Sequence, residues 1–333
     1  MNPCSPWQLV QLDAAHSSEI RALFEQVFGH PMSEALWHWK YADHRGLATG
    51  TRDRSGRLLA HYGGTARTLW VQGQPVAAVQ LGDVMVAPDA RGFLSRNGPF
   101  AVATQGFLQQ HVGPDRPFAL GFGFPGTRHV RLGEKLGLYA ATNEVQELLW
   151  PLPTRPAKLK WHLRWQLARI DWASAHTTQR LDQLWQTMQS QTTHFVIGQR
   201  NALWWQHRFA NHPESRYCCF WLRQRFSGRI VGALALKPSA EAGQAWELLD
   251  WIAPLPQTAA VVQAARTIAA QAGSTLQGWL SSPVADLLRQ QPTLDHASTQ
   301  HACTACVTTR QRAHLPLLTQ CPWWLTGGDT DFR

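Results

Sequence analysis

The sequence predicts an α/β protein made of two similar mixed-sheet domains with helices packed on the sheets. Three observations lead to this prediction. Apolar residues make up 44% of the 333 residues and charged residues 16%, which is typical of a packed globular chain. Strand-like and helix-like segments alternate along the first half, which indicates helices layered on a sheet. Short patterns of the first half recur in the second half at a nearly constant distance.

The elements of the first half are predicted in the order β-α-β-β-β-α-β-α-β. Residues 17–29 form a helix because Ile20, Leu23 and Phe24 fall on one face and a glycine ends the segment. Helical spacing with a proline start or a glycine end predicts the other helices, and apolar runs between turn residues predict the strands. The further helices are 98–113 and 127–137, and the strands are 7–13, 48–53, 57–71, 75–88, 118–124 and 138–150.

Three ordered matches carry the predicted internal repeat. WHWKYADH at 37–44 recurs as WQHRFANH at 205–212, and the turn Ser-Gly-Arg at 55–57 recurs at 227–229. LGDVMVAP at 81–88 recurs as LLDWIAP at 248–254, so that Asp83 corresponds to Asp250. Such order favours the duplication of one α/β unit over a coincidence of Trp and Gly residues.

The predicted domains are residues 1–152 and 169–333, joined by a basic, Pro-rich linker at 153–168. The net charge is +9: residues 1–155 hold 14 Lys and Arg against 12 Asp and Glu, and residues 156–333 hold 17 against 10. A basic balance favours anionic partners. The linker is either a patch for an acidic substrate or membrane surface or, as we favour, a solvated helix.

The sequence predicts a cytoplasmic protein. No apolar run approaches 18 residues, and the first residues lack the basic and apolar regions of a signal peptide. The six cysteines are irregularly spaced in a long chain, so a disulfide framework is not expected.

The loop that follows the strand at 75–88 is the main candidate site. It brings Arg91, Gly92, Arg96, Asn97 and Gly98 to the start of a helix. A helix N-terminus offers free N–H groups and a positive end, glycine allows close approach, and arginine donates a fork of hydrogen bonds, so a phosphate-bearing ligand is predicted. A solvated turn is the alternative. The loop matches neither a P-loop nor a Rossmann fingerprint.

The segment LGDVMVAPDARG resembles the fourth strand and pyrophosphate loop of the GNAT superfamily of acyl-CoA N-acyltransferases, which carries a V-x-P-x-x-R-G run. FALGFGFPGTRHVRLGEKLGLYA resembles the next strand, helix and K-L-G corner of that fold, so the resemblance covers about residues 6–150. The chain as a whole resembles a tandem GNAT protein. Its second copy is degenerate, because no arginine or asparagine stands between Pro254 and the next helix.

The resemblance implies that the loop amides bind the pyrophosphate of coenzyme A and that the pantetheine arm lies where two parallel strands splay apart. It also implies that a backbone N–H at Met85 or Val86 meets the thioester carbonyl. The sequence departs from the family pattern in a longer loop and at Gly133, where members often carry a tyrosine general acid. Tyr139 lies just beyond, and the sequence alone does not assign it that role.

Asp83 is the candidate general base for the acceptor amine. A structural role is the alternative, because the second copy keeps the aspartate but not the loop. Trp39, Tyr41, His61 and Tyr62 are the candidates for lining the acceptor cleft.

The predicted function is N-acyl transfer from acyl-CoA, with acetyl-CoA as the expected co-substrate, to a primary amine of a small molecule, amino sugar or glycan precursor. A non-catalytic acyl-CoA-binding module and an aminoacyl-tRNA-dependent transferase are the alternatives, although a nucleic-acid partner is not expected. No metal is predicted, because the pattern of His301, Cys303 and Cys306 is too short for a zinc site, and the cysteines fit a buried strand better.

The C-terminal stretch CPWWLTGGDTDFR allows two interpretations. It is either a mobile acidic flap that attracts a cationic amine or, as we favour, a frayed terminus.

Overall fold

The computed structural model describes residues 6–91, 97–152, 163–239, 244–291, 294 and 298–333. The chain forms two compact units. Unit 1 contains Met1–Thr68, Val76–Thr142 and Ala305–Gln320, and unit 2 contains Leu69–Pro75, Asn143–Thr304 and Cys321–Arg333. Each unit therefore draws on several stretches of sequence, in contrast to the contiguous division at 1–152, 153–168 and 169–333 that the sequence predicted.

Unit 1 confirms the predicted α/β class, adds the helix Glu34–Tyr41 to the predicted order and ends with a strand and a helix from the later segment Ala305–Gln320. Its elements are β1 (Gln8–Leu12), α1 (Ser17–Phe28), α2 (Glu34–Tyr41), β2 (Gly46–Arg52), β3 (Leu58–Val71), β4 (Gln74–Val86), α3 (Pro99–His111), β5 (Leu120–Gly123), α4 (Thr127–Lys135), the start of β6 (Ala140–Trp150), the end of β13 (Ser298–Thr308) and α9 (Leu315–Gln320).

The sheet of unit 1 follows the order β1-β2-β3-β4-β5. Strands β1, β2 and β3 pair antiparallel, and β4 pairs parallel with β5. The strand on the outer side of β5 comes from the far end of the chain, because Cys306–Thr308 of β13 (Ser298–Thr308) pair antiparallel with Gly121–Gly123. The predicted buried strand around Cys303 and Cys306 is thus confirmed, and it completes the first sheet.

Two apolar layers cover the sheet of unit 1. One packs α1 and α2 on one face, with Ile20, Phe24 and Trp37 in its core. The other packs α3 on the opposite face, with Phe100 and Phe107 in its core. Alternation along β3 sends His61 to the first face and Tyr62 to the second.

Unit 2 repeats most of the element order of unit 1 and adds two short strands, Val196–Gly198 and Trp323–Trp324. Its elements are the rest of β6, β7 (Trp165–Arg169), α5 (Ala175–Gln191), β8 (Val196–Gly198), α6 (Ala202–Trp205), β9 (Cys218–Gln224), β10 (Ile230–Lys237), β11 (Trp246–Ile252), α7 (Thr258–Gln271), β12 (Leu276–Ser281), α8 (Ser282–Arg289), the start of β13 and β14 (Trp323–Trp324). The sheet order is β6-β12-β11-β10-β9-β7. The Ser-Gly-Arg turns form the β2–β3 and β9–β10 hairpins, with glycine in the left-handed region in both.

The linker predicted at 153–168 lies partly outside the described residues, since 153–162 are not described. Its last residues form the beginning of β7, which pairs antiparallel with β9, so this part is a strand rather than a solvated helix. In the described residues, no helix is long and apolar enough to cross a membrane.

Both interpretations of the C-terminal stretch are wrong. Residues 323–330 are all buried, in a segment that we call the tail (Trp323–Arg333). β14 pairs with β8, and Gly327–Asp329 form a 3₁₀ turn. The tail is an integral part of unit 2, and Asp329 is buried rather than displayed to solvent as an acidic flap would require.

Candidate active site

The candidate site begins where β4 and β5 part. The two strands pair in register from Ala78 with Leu120 to Leu81 with Gly123. β5 ends there, whereas β4 continues to Val86. The last part of β4 therefore has an edge with no pairing to β5, which forms a gap beside a parallel strand pair. This is the geometry that the family resemblance implied for the pantetheine arm.

The loop after β4 leads into the uncapped N-terminus of α3. Pro88–Ala90 form a 3₁₀ turn, and Gly98 is the N-cap residue of α3, with Pro99 in the first turn. Among the described residues no side chain caps the helix, which leaves its first N–H groups for a ligand. The hydroxyl of Thr51 donates to the carbonyl of Pro99 at 3.0 Å, which fixes the start of the helix. This arrangement suits an anion.

The predicted loop residues are only partly described. Gly92 and Arg96 lie outside the described residues. Arg91 is exposed, and its Nε donates to the carbonyl of Val86 at 3.3 Å. Asn97 is exposed beside the buried Gly98. Arg91 and Asn97 thus lie at the two ends of the loop and are open to solvent.

Of the two predicted backbone donors, Val86 is better oriented than Met85. The N–H of Ala87 donates to the carbonyl of Leu59 on β3 at 2.8 Å. Successive N–H groups of a strand point to opposite edges, so the N–H of Val86 points away from β3, towards the gap. The N–H of Met85 points towards β3, and its side chain is buried.

A buried cluster holds β4 at the point where it leaves β5. Asp83 has a φ of 48°, a left-handed conformation that is rare for a residue other than glycine. Its carboxylate accepts hydrogen bonds from the ammonium of Lys40 at 2.6 Å and from the hydroxyl of Tyr41 at 2.6 Å. Its carbonyl accepts one from Nδ1 of His61 at 2.7 Å. Residues of α2 and β3 therefore stabilise an unusual backbone conformation in β4.

The electrostatics of the cluster keep Asp83 ionised and His61 neutral. Burial raises the pKa of Asp83, but the Lys40 charge and the hydrogen bonds from Lys40 and Tyr41 outweigh it, so the pKa lies below its usual value. Burial lowers the pKa of His61, and the nearby Lys40 lowers it further against the opposing effect of Asp83. Since Nδ1 donates to a carbonyl, Nε2 of the neutral ring carries no proton. This atom is buried and has no hydrogen-bond partner among the described residues.

Tyr139 fills the space left by Gly133, the position at which the family pattern has a tyrosine. A Cβ atom added to Gly133 would lie 1.9 Å from Cδ2 of Tyr139. The Tyr139 hydroxyl lies 2.8 Å from the hydroxyl of Tyr62, whose ring is fully buried against Phe107. Burial raises the pKa of both phenols, so both stay protonated at neutral pH.

The predicted cleft residues separate into two groups. Tyr41 and His61 meet at the Asp83 cluster with their rings edge to face at 6.0 Å, whereas Tyr62 lies on the other face of the sheet with Tyr139. Trp39 is half-buried on α2. The sequence analysis missed Lys40. The signal was present, because the aligned position of the second copy is Arg208 and keeps the positive charge.

The zinc alternative gains no geometric support. Across the described part of the chain, no three His, Cys, Asp or Glu side chains are grouped so that they could hold a metal ion.

Comparison with known proteins supports the family resemblance. Residues 10–98 match the family model described as the acetyltransferase (GNAT) domain. A probable N-acyltransferase from Enterococcus faecalis is similar with a TM-score of 0.65 and 15% identity, covering 90% of this chain and 71% of that chain. A GCN5-related N-acetyltransferase from Kribbella flavida is similar with a TM-score of 0.62 and 17% identity, covering 90% and 70%.

The similarity extends to an acyltransferase solved with a long-chain acyl-CoA. N-myristoyltransferase of Saccharomyces cerevisiae, solved with bound myristoyl-CoA, is similar with a TM-score of 0.53 and 10% identity, covering 92% of this chain and 84% of that chain. None of the curated proteins compared matches the sequence. The chain therefore has the fold of the GNAT acyltransferases over most of its length, and the match to the GNAT domain model lies in its first part.

Proposed function

We propose that the protein is an acyl-CoA-dependent N-acyltransferase that transfers an acetyl group from acetyl-CoA to a primary amine of a small molecule, amino sugar or glycan precursor. The observation that carries this proposal is the continuity of three features in unit 1. β4 parts from β5 after Leu81, the exposed edge reaches Val86, and the following loop ends at the uncapped α3. The free edge of β4 can form hydrogen bonds with the extended pantetheine arm of coenzyme A, and the N-terminus of α3 can form them with its pyrophosphate.

The residues of the gap fit coenzyme A in a defined order. The α3 N-terminus, with Arg91 and Asn97 beside it, would hold the pyrophosphate. The N–H of Val86 would donate to the thioester carbonyl and stabilise the negative charge that develops there. The bound thioester supplies an activated acyl group. The chain supplies orientation, the oxyanion donor and a proton.

Tyr139 is the proposed general acid. When the amine nitrogen bonds to the carbonyl carbon and the C–S bond breaks, the thiolate gains one proton and the amine loses one. Tyr139, whose raised pKa keeps it protonated until the thiolate forms, would donate its phenol proton to the thiolate. The proton that the amine loses would return to the Tyr139 phenolate through the Tyr62 hydroxyl, 2.8 Å away, so that both phenols end protonated.

Asp83 as general base remains a prediction. Its two oxygens accept from Lys40 and Tyr41, and its low pKa makes it a weak base. A proton passing from the amine to Asp83 would have to travel through one of these partners. The geometry favours a positioning role, in which Asp83 holds the bend that opens β4 towards the gap.

Calorimetry with acetyl-CoA tests the proposed function. The double variant Arg91→Ala, Arg96→Ala is expected to bind at least tenfold more weakly than the unmodified protein, because each arginine donates to phosphate oxygens. The double variant Arg54→Ala, Arg116→Ala removes two exposed arginines of unit 1 from other loops and serves as the matched control. Equal affinity in all three proteins would refute the assignment of the loop.

Turnover separates the proposed function from its alternatives. Release of the free thiol from acetyl-CoA over a panel of primary amines is expected. Tight binding of acetyl-CoA with no turnover on any amine would favour the acyl-CoA-binding module. Salt-sensitive retention of aminoacyl-tRNA without acetyl-CoA binding would favour the tRNA-dependent transferase.

A further inference from the structure

Two ion pairs neutralise two arginines of the β2–β3 hairpin in unit 1, Arg52 and Arg57. The guanidinium of Arg52 binds both carboxylate oxygens of Glu19 on α1. The guanidinium of Arg57 binds both oxygens of Asp89, after β4, at 2.7 and 2.8 Å. Arg52 and Arg57 therefore each have a bidentate carboxylate partner.

The corresponding hairpin of unit 2 keeps both arginines. Arg223 pairs across from Ile230 in the β9–β10 ladder, as Arg52 pairs across from Leu58. Arg229 follows the second Ser-Gly turn as Arg57 follows the first.

The two acids are missing from unit 2. The helices α1 and α5 can be aligned by their buried residues, which are 20, 23 and 24 in α1 and 181, 184 and 185 in α5. Glu19 stands directly before the first set, and Arg180 stands directly before the second. Asp89 follows Pro88, whereas Leu255 follows Pro254. One acid is replaced by a leucine and the other by a third arginine, so a pair of opposite charges in unit 1 becomes a pair of like charges in unit 2.

A cavity of about 440 Å³ lies between α5 and this hairpin. The described residues that line it include no aspartate or glutamate; they are Arg180, Gln183, Leu184, Thr187, Arg223, Gly228, Arg229 and Ile230. Within the described ranges, none of its three arginines forms an ion pair. The Nε atom of Arg223 is buried and has no hydrogen-bond partner among the described residues.

We propose that this cavity is a binding site for the phosphate group of a small anionic ligand. Three guanidinium groups around one cavity repel each other, and a buried Nε donor without a partner is costly. A bound phosphate would relieve both costs. Its oxygens accept hydrogen bonds from the guanidinium N–H groups, and its negative charge offsets the positive charges of the three arginines. The cavity volume falls in the range of small-molecule sites, about 300–1,000 Å³.

The test is calorimetric titration with inorganic pyrophosphate. Arg180→Glu gives unit 2 the carboxylate that unit 1 has at Glu19, so it is expected to pair with Arg223 and to weaken pyrophosphate binding at this site at least tenfold. Arg229→Ala is expected to weaken it severalfold. Arg54→Glu, which makes the same change of charge at an exposed residue of unit 1, is the matched control and should change affinity less than twofold.

Two results would overturn the proposal. One is an unmodified protein that binds no pyrophosphate, and the other is an Arg180→Glu variant that binds it as tightly as the Arg54→Glu control. The melting temperature of Arg180→Glu distinguishes weaker binding from unfolding. We expect it to equal or exceed that of the unmodified protein, because the new carboxylate pairs with Arg223. A variant that melts lower is replaced in the comparison by Arg229→Ala.

A second arm distinguishes the sources of the phosphate. Flotation with vesicles of phosphatidic acid, against vesicles of phosphatidylcholine, shows whether a lipid headgroup also enters. Flotation that depends on Arg180 assigns the phosphate to a lipid, and pyrophosphate binding without flotation assigns it to a soluble compound. The site is independent of the proposed acyl transfer, so acetyl-CoA affinity should be the same in Arg180→Glu and the unmodified protein.

Discussion

The two units place a cation and an aspartate at matching positions, but they connect them differently. In unit 1, Lys40 donates directly to Asp83 at 2.6 Å. In unit 2, Arg208 donates to the carbonyls of Gly328 and Thr330 in the tail, each at 3.2 Å. Asp250 accepts from Thr326 of the tail and from Arg200. The tail therefore takes up, in unit 2, the hydrogen bonds that the pair in unit 1 makes internally.

The tail also occupies the place where the parallel strands of unit 2 part. β11 and β12 pair only at residues 246–247 and 276–277. Beyond that point Thr326 bridges to Leu280 of β12, and Gly328 packs so closely on β11 that an added Cβ would lie 2.7 Å from Cβ of Asp250. The corresponding gap of unit 1 is the proposed acyl-CoA site. In unit 2 the tail therefore fills the gap that unit 1 leaves open. For this reason we expect one acyl-CoA per chain.

The buried charges of unit 2 should give the largest effect on stability. Arg200 is fully buried and donates to Asp250 at 3.0 Å and to Asp329 at 2.5 Å. Arg200→Leu leaves two buried carboxyl groups without their cation, so it is expected to lower the free energy of unfolding by about 3–5 kcal/mol. Urea unfolding measures this loss. The exposed Arg216→Leu is the control, with an expected change within about 0.5 kcal/mol, and a loss under 1 kcal/mol for Arg200→Leu would contradict the account of the network.

Catalysis should depend on the hydroxyl pair of unit 1. Tyr139→Phe removes the proposed proton donor but keeps the ring that fills the space at Gly133, so kcat is expected to fall about a hundredfold or more. The KM for acetyl-CoA should change little. Steady-state kinetics measure both parameters. Tyr217→Phe, which removes a hydroxyl bonded to the tail in unit 2, is the control and should keep kcat; an unchanged kcat in Tyr139→Phe would exclude the acid role.

Features that depend on residues close together in the sequence were predictable, and features that depend on distant residues were not. The strands, the helices α1, α3 and α4, and the repeat follow from local periodicity and short matches. Helix α2 was missed because its apolar residues are interrupted by His38 and Lys40, so the segment lacks a clear amphipathic pattern.

The contacts between distant parts of the chain were not predictable. The pairing of β13 with β5 and the burial of the tail depend on neighbours far apart in sequence, which no local pattern encodes. The family resemblance predicted a loop after β4 and a separation of two parallel strands, but it did not predict the partners of Asp83. The ring of Tyr139 occupies the space that a side chain at position 133 would take. The sequence does not predict this contact, because it depends on how the chain folds back after α4.

The fit of the tail can be tested with a single methyl group. Gly328→Ala places a Cβ 2.7 Å from Cβ of Asp250 and 3.1 Å from the carbonyl of Leu249, so the tail must move. The expected loss is about 1–3 kcal/mol in the free energy of unfolding. Gly126→Ala is the control in unit 1, since nothing lies within 4 Å of its added Cβ. Equal stability of the two variants would show that the tail is loosely held.

The smallest effect should be a pH dependence that belongs to unit 1. His61 has its pKa lowered by burial, while the aligned residue of unit 2 is Ala233. The folded ring stays neutral, but the unfolded ring takes up a proton below about pH 6.5, so stability falls as the pH drops from 6.5 towards the lowered folded pKa. Between pH 7.5 and 5.5 the unmodified protein is expected to lose about 1 kcal/mol more than His61→Gln.

Urea unfolding at both pH values measures that difference. The groups facing the imidazole are Asp83, Lys40 and Tyr41, and the ammonium of Lys40 opposes protonation of the ring in the fold. His38→Gln, an exposed histidine of α2, is the matched control and should keep the pH dependence of the unmodified protein. If His61→Gln kept it as well, the ring would have to be charged in the fold or its pKa unshifted. The unprotonated Nε2 inferred for the Asp83 cluster would then be wrong.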